Sequence, residues 1–133
     1  MSAYSEQTTE FKDADLLIEA LKDIGIREIH HYEHPIHLEG YLGDKRNEVA
    51  EIVIPRRSVG IAANDIGFKK QANGNYTAII SEFDSRNYDQ KWMQKLKCIY
   101  AEKGIMRQAS RAGLRFAGKK NVNGKVQLQF VKI

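Results

Sequence analysis

All four histidines of this chain fall within eight residues, His30, His31, His34 and His37, with Glu33 among them. Neutral imidazoles beside a carboxylate form a donor set suited to zinc or another divalent metal. On a strand, His30 and His34 share one face while His31 and Glu33 share the other. Coordination by His30, His34 and His37 therefore needs the chain to turn at Pro35 and bring His37 back. The plainer reading is a polar strand with solvated histidines, and a pH-responsive surface is a third.

A second group is carboxylic. Asp65 follows Asn64 at the head of a predicted hairpin that Asp84 closes, so the two carboxylates meet at its open end. Such a pair binds a hard cation or divides into an acid and a base. With His37, any of Asp44, Asp65 or Asp84 would complete a small metal-dependent site. The structural alternative is that these residues cap or terminate neighbouring elements, Asp84 ahead of the long helix. The stretch holding Gly40, Tyr41, Gly43, Asp44 and Arg46 is a shaped loop. Its glycines let main-chain amides approach a ligand, and Arg46 can grip a carboxylate or phosphate. The alternative here is a tight turn with Tyr41 packed on a sheet. Neither a P-loop nor Gly-x-Gly-x-x-Gly is present. No serine or cysteine nucleophile stands out, and Cys98 reads as a core filler on a helix.

The third group is cationic. Residues 1–90 hold 10 basic and 16 acidic side chains, a net −6, whereas residues 91–133 hold 11 basic and one acidic, a net +10. Lys103, Arg107 and Arg111 recur at steps of four along a helix, and Arg115, Lys119 and Lys120 follow. Such a surface suits an acidic protein or the phosphates of a nucleic acid. The competing reading folds this basic third against the acidic two-thirds of the same molecule. Aromatic residues are sparse there, and the RNA-recognition pattern of alternating aromatics is missing.

The elements that must position these groups follow from pattern. Thr8–Lys12 alternates weakly as a first strand. Asp13 caps a helix over Ala14–Ile24, whose apolar residues recur at three and four, and Gly25 ends it. Ile26–Tyr32 is a strand interrupted by Pro35, and Val49–Ile54 is a central strand. A hairpin turns at Asn73-Gly74 in type I′ geometry, pairing Phe68 with Ile79 or Ile80. A long helix spans Tyr88–Ala112, and a last hairpin turns at Asn123-Gly124. Two strand-helix-strand units echo each other, Thr9-Glu10-Phe11-Lys12 and Ser81-Glu82-Phe83-Asp84. Interleaved, they predict an α+β fold: a mostly antiparallel sheet with two helices on one face, a ferredoxin-like split β-α-β arrangement.

Length and composition fit one domain over residues 1–133. Apolar residues make up 42% and charged residues 29%, ordinary for a folded protein. A single cysteine excludes a disulfide framework. No apolar run reaches a membrane span and no signal-peptide core opens the chain, so a soluble, cytoplasmic protein without membrane partners is expected.

The run His37-Leu38-Glu39-Gly40-Tyr41-Leu42-Gly43-Asp44-Lys45-Arg46 is followed by Ala50–Arg57, Asn64-Asp65-Ile66-Gly67-Phe68 and Ile79–Asp84. Together these resemble an uncharacterised bacterial and plastid family whose chloroplast members are called hypothetical chloroplast reading frame thirty-five. The resemblance covers most of the chain and departs most at His30–Pro35. It implies a fold rather than an activity, and an accessory role beside AAA+ ATPases.

Three functions are therefore weighed. The leading one is a non-enzymatic adaptor that docks an acidic partner, an AAA+ ATPase assembly among the candidates, through its basic helix-hairpin surface. The second binds nucleic acid through that surface. The third is a small metal-dependent enzyme. No cofactor is predicted beyond the zinc or other divalent metal of the histidine reading, and an exposed edge strand could pair two copies.

Overall fold

The computed structural model describes residues 2–133. Its elements are β1 (Tyr4–Thr8), α1 (Ala14–Ile24), β2 (His30–Glu39), β3 (Lys45–Ile54), the four-residue α2 (Arg56–Val59), β4 (Ile66–Lys70), β5 (Tyr76–Ser81), α3 (Gln90–Arg111), β6 (Leu114–Val122) and β7 (Lys125–Lys132). The chain is α+β, with an antiparallel five-stranded sheet in the order β1-β5-β4-β3-β2.

The first helix forms as its sequence dictates. The Asp13 carboxylate accepts the Leu16 amide at 3.0 Å, and Gly25 takes φ +116° while its N–H closes on the last turn. Leu17, Ala20 and Leu21 then point one way, against Ile52, Ile54, Phe68 and Ile80 of the sheet. Met93 and Leu96 of α3 enter the same cluster, so both long helices cover one face. The other face holds a smaller cluster of Leu38, Ala50, Val53 and Ile79, with Tyr4, Tyr32 and Ile36 packed on it.

Four expectations are corrected. The first strand is Tyr4–Thr8, ending where it was expected to begin. β2 runs through Pro35, tolerated because β2 is an edge strand, and its register with β3 shifts between His31 and Ile36. The Asn73-Gly74 turn is not type I′. Only Gly74 takes positive φ there, and the Gln71 N–H bonds the Asn75 carbonyl, so the loop is Ala72–Gly74 and Phe68 faces Ala78. Finally, β6 does not return into the sheet. β5 is already paired on both sides, by β1 and β4, so the strand after α3 has no vacancy beside it and forms a two-stranded sheet with β7 alone. The split β-α-β interleaving is therefore not the arrangement adopted. Among the described residues no helix is long and apolar enough to cross a membrane.

Candidate functional site

Asp65 lies at the entry to β4, and its four polar groups fasten three different segments. Its Oδ1 accepts the Arg56 amide at 2.7 Å and its Oδ2 accepts the Glu39 amide at 2.8 Å. Its own N–H donates to the Glu39 carbonyl, and its carbonyl accepts the Tyr4 hydroxyl at 2.7 Å. One residue thus joins β1, the end of β2 and the start of α2. Burial pushes the Asp65 carboxyl up, with the two amides opposing. Burial first, then the Asp65 charge, pushes the Tyr4 phenol up as well.

Asp84 works on the neighbouring residue. Its Oδ2 accepts the Asn64 amide at 2.9 Å and the Ser81 hydroxyl at 2.8 Å, and Asn64 Oδ1 accepts the Tyr41 amide at 3.0 Å. Asn64 and Asp84 are nearly sealed, 1% and 4% exposed. The two aspartates therefore hold main-chain donors of their own molecule, chemistry that fixes loops rather than offering free oxygens to a cation. Asp84 does not cap α3 either. It opens a 3-10 turn over Asp84–Arg86, and Asp89 accepts the Trp92 amide at the true N-cap.

The glycine loop is closed on itself. The Gly40 N–H donates to the Asp44 carbonyl at 2.8 Å, and a Cβ on Gly40 would stand 2.4 Å from Asp44 Oδ1, so the missing side chain makes room for Asp44 rather than for a ligand. Gly43 turns the chain at φ +82°. Tyr41 is exposed instead of packed on the sheet. Arg46 donates to the Ser2 carbonyl at 2.8 Å and lies 4.9 Å over the Tyr4 ring, an internal use of the guanidinium.

The histidines separate. His30 and His37 share a cleft of about 360 Å³ with Tyr32, Glu39, Arg56 and Asp65, whereas His34 is exposed and Asp84 lies elsewhere. His30 Nε2 lies 2.6 Å from Glu28, whose carboxylate also takes the fork of Arg57. His37 Nδ1 bonds the Arg46 carbonyl at 2.8 Å. The irregular pairing of β2 between His31 and Ile36 breaks the alternation on which the His30, His34, His37 set depended. Among the described residues, no group of three or more His, Cys, Asp or Glu side chains could hold a metal ion.

A family model described as a protein of unknown function (DUF1257) matches residues 20–129. The chain belongs to this family. No curated protein and no solved structure matches it. The span shared with DUF1257 runs from within α1 to the second half of β7, and so includes most of the basic third.

In this DUF1257 chain the cationic stripe is only partly free. Lys103 Nζ lies 2.8 Å from Asp23, and Arg107 Nη1 lies 2.7 Å from Asp13, so two steps of the stripe bind α3 to α1. Lys119 pairs with Glu102 at 2.7 Å and ties the hairpin to α3. Among the described residues Arg111, Arg115 and Lys120 are exposed and make no ion pair. They stand beside apolar side chains in the open: Phe116 is 41% exposed and Val126 56%. Cys98, expected in the core, is exposed, because the buried stripe of α3 passes through Met93 and Leu96. Pattern reading missed the Tyr4–Asp65 clasp since it placed the first strand too late. Tyr4-Ser5-Glu6-Gln7-Thr8 has a single apolar side chain and no apolar–polar alternation, so its pattern did not mark a strand.

Proposed function

We propose that this protein is a binding module whose β6–β7 hairpin, with the end of α3, docks an acidic partner protein. The observation that supports this reading is the hairpin itself, which stands outside the sheet with apolar Phe116, Val126 and Val131 in solvent beside Arg115, Lys120 and Lys125. Two strands alone in water are marginally stable, and exposed apolar side chains gain burial only from another surface. An acidic partner suits the unpaired cations, and apolar contact supplies affinity that charge alone does not. The ATPase implied by the narrower chloroplast resemblance is the first partner to try. Lys103 and Arg107 are left out of the docking surface, being held by Asp23 and Asp13.

Purified partner binding, followed across salt, tests this. Arg115→Glu with Lys120→Glu is expected to weaken binding, and Phe116→Ser to weaken it at low and high salt alike. Undiminished binding by both variants refutes the reading. A single-stranded RNA or DNA oligonucleotide bound with a steep salt dependence assigns the surface to phosphates instead.

A further inference from the structure

Asn-Gly is the dipeptide in which a side-chain amide is most readily attacked by its own main chain, because the following residue carries no side chain to obstruct the approach. This chain holds it twice, as Asn73-Gly74 and Asn123-Gly124, each in a hairpin turn. The reaction needs the glycine amide nitrogen free to attack and the asparagine Cγ free to receive it. It also needs a turn that can leave its resting geometry, since attack rotates the main chain between the two groups.

The first site is denied these conditions. The Gly74 N–H donates to the Gln71 carbonyl at 2.9 Å, and Asn73 Oδ1 accepts the Asn75 amide at 2.9 Å, so attacking and receiving groups are both engaged. The Gln71 N–H closes the loop on the Asn75 carbonyl, and Asn75 Nδ2 bonds the Thr9 carbonyl, which moors the turn to the body of the protein.

The second site meets them. Asn123 and Gly124 are exposed, and among the described residues neither the Gly124 N–H nor the Asn123 side chain has a hydrogen-bond partner. Asn123 sits at φ +51°, a conformation that costs a residue with a Cβ and so favours departure from it. Its strands, β6 and β7, form a sheet of two, which frays in water, and the Lys119–Glu102 ion pair that ties the hairpin to α3 lies short of the turn.

We propose that Asn123 is a self-modifying site, at which the side-chain amide becomes a carboxyl while Asn73 is spared. The Gly124 nitrogen bonds to Asn123 Cγ, the Cγ–Nδ2 bond breaks, and ammonia leaves. The proton lost from the Gly124 nitrogen is matched, through solvent, by the one that ammonia carries away. The cyclic imide then takes up a water molecule, the only co-reactant, and opens at either of its C–N bonds. One opening yields aspartate, the other isoaspartate, whose main chain runs through Cβ.

The hairpin carries Arg115, Lys119, Lys120, Lys125 and Lys132 and no carboxylate, so conversion places its first negative charge beside Lys125. Aspartate keeps the preference of Asp-Gly for this turn, whereas isoaspartate lengthens the main chain of a two-residue loop and strains the Val122–Lys125 closure. Weaker docking of an acidic partner after conversion rests on the hairpin reading; the conversion itself does not.

The test incubates the full chain in mildly alkaline buffer, then maps its digest by mass spectrometry with electron-transfer fragmentation, which separates aspartate from isoaspartate. In the folded chain Asn123 is expected to convert about ten-fold faster than Asn73 or more, since the hydrogen bonds that engage Asn73 and Gly74 must break first. In urea, which removes both turns, the two sites should convert at the same pace. The proposal is overturned if Asn123 stays unconverted in the folded chain or if Asn73 keeps pace with it there. It is also overturned if Asn123 leads equally in urea, which traces the preference to local sequence instead of the turn. Asn123→Asp, the product in permanent form, should weaken binding of an acidic partner about two- to five-fold. Conversion seen by mass with binding untouched by Asn123→Asp counts against the hairpin reading alone, so the two fail separately.

Discussion

Two hairpins in this chain turn on the same dipeptide and end in opposite states. At Asn73-Gly74 only the glycine takes positive φ, and the strands it joins, β4 and β5, are the buried middle of the sheet. At Asn123-Gly124 both residues are left-handed, φ +51° and +79°, giving the two-residue turn with Val122 opposite Lys125. That hairpin keeps most of its side chains in solvent. The difference teaches that turn chemistry selects a hairpin without deciding whether it becomes core. Ile66, Gly67, Phe68 and the all-buried β5 can be enclosed on both faces, whereas enclosing Arg115, Lys119 and Lys120 would strip three cations of water.

The contrast breaks first at Asp65. Asp65→Ala leaves the Glu39 and Arg56 amides without acceptors and should cost about 2–5 kcal/mol in urea unfolding. Phe116→Ala in the outer hairpin should cost about 1 kcal/mol or less, chiefly its edge-to-face contact with Phe130. Equal losses would show that the two hairpins share one cooperative unit. Next comes Gly67→Ala, whose Cβ would stand 2.7 Å from that of Ala50 and 3.0 Å from Leu38 Cδ2. Ala50 Cβ is fixed to its strand and the Leu38 side chain is fully buried, so about 1–3 kcal/mol of overpacking is expected, read as a lowered melting temperature.

Arg107→Gln removes the pair with Asp13, which is partly solvated, and should lower the melting temperature only slightly, by less still as salt rises. The smallest effects are slopes with pH. The Leu16 amide, ahead of Arg107, holds Asp13 below its ordinary 3.8, so its stabilisation is full above that value and lost as pH falls through the folded one. Asp65, pushed up by burial, has the opposite sign: its contribution is full below 3.8 and lost as pH rises through the raised value. Asp13→Asn should therefore flatten the acid limb of a stability–pH curve, and Asp65→Asn should steepen it.

Local chemistry was legible where one residue settles one feature. Asp13 and Gly25 bounded α1, and the apolar stripes marked α3 and β3. The candidate site was legible only as a set of residue types. Gly40, Asn64, Asp65 and Asp84 stood out as residues whose office the sequence left open between a site and a structural tie, because a carboxylate that binds a cation and one that binds an amide are spelled alike. The clustered histidines were split, His30 and His37 onto one cleft and His34 into solvent, along a strand whose pairing is irregular around Pro35 and depends on what β3 offers as a partner.

The sequence by itself determined the element order, the helix limits and the concentration of positive charge in the last third, since each rests on neighbours a few residues apart. Only the tertiary structure decided which cations stayed free, which carboxylates became clasps and which hairpin was enclosed. Those outcomes turn on distances between residues as remote as Tyr4 and Asp65 or Asp13 and Arg107, and a hydrogen bond or ion pair responds to separation in space, not along the chain.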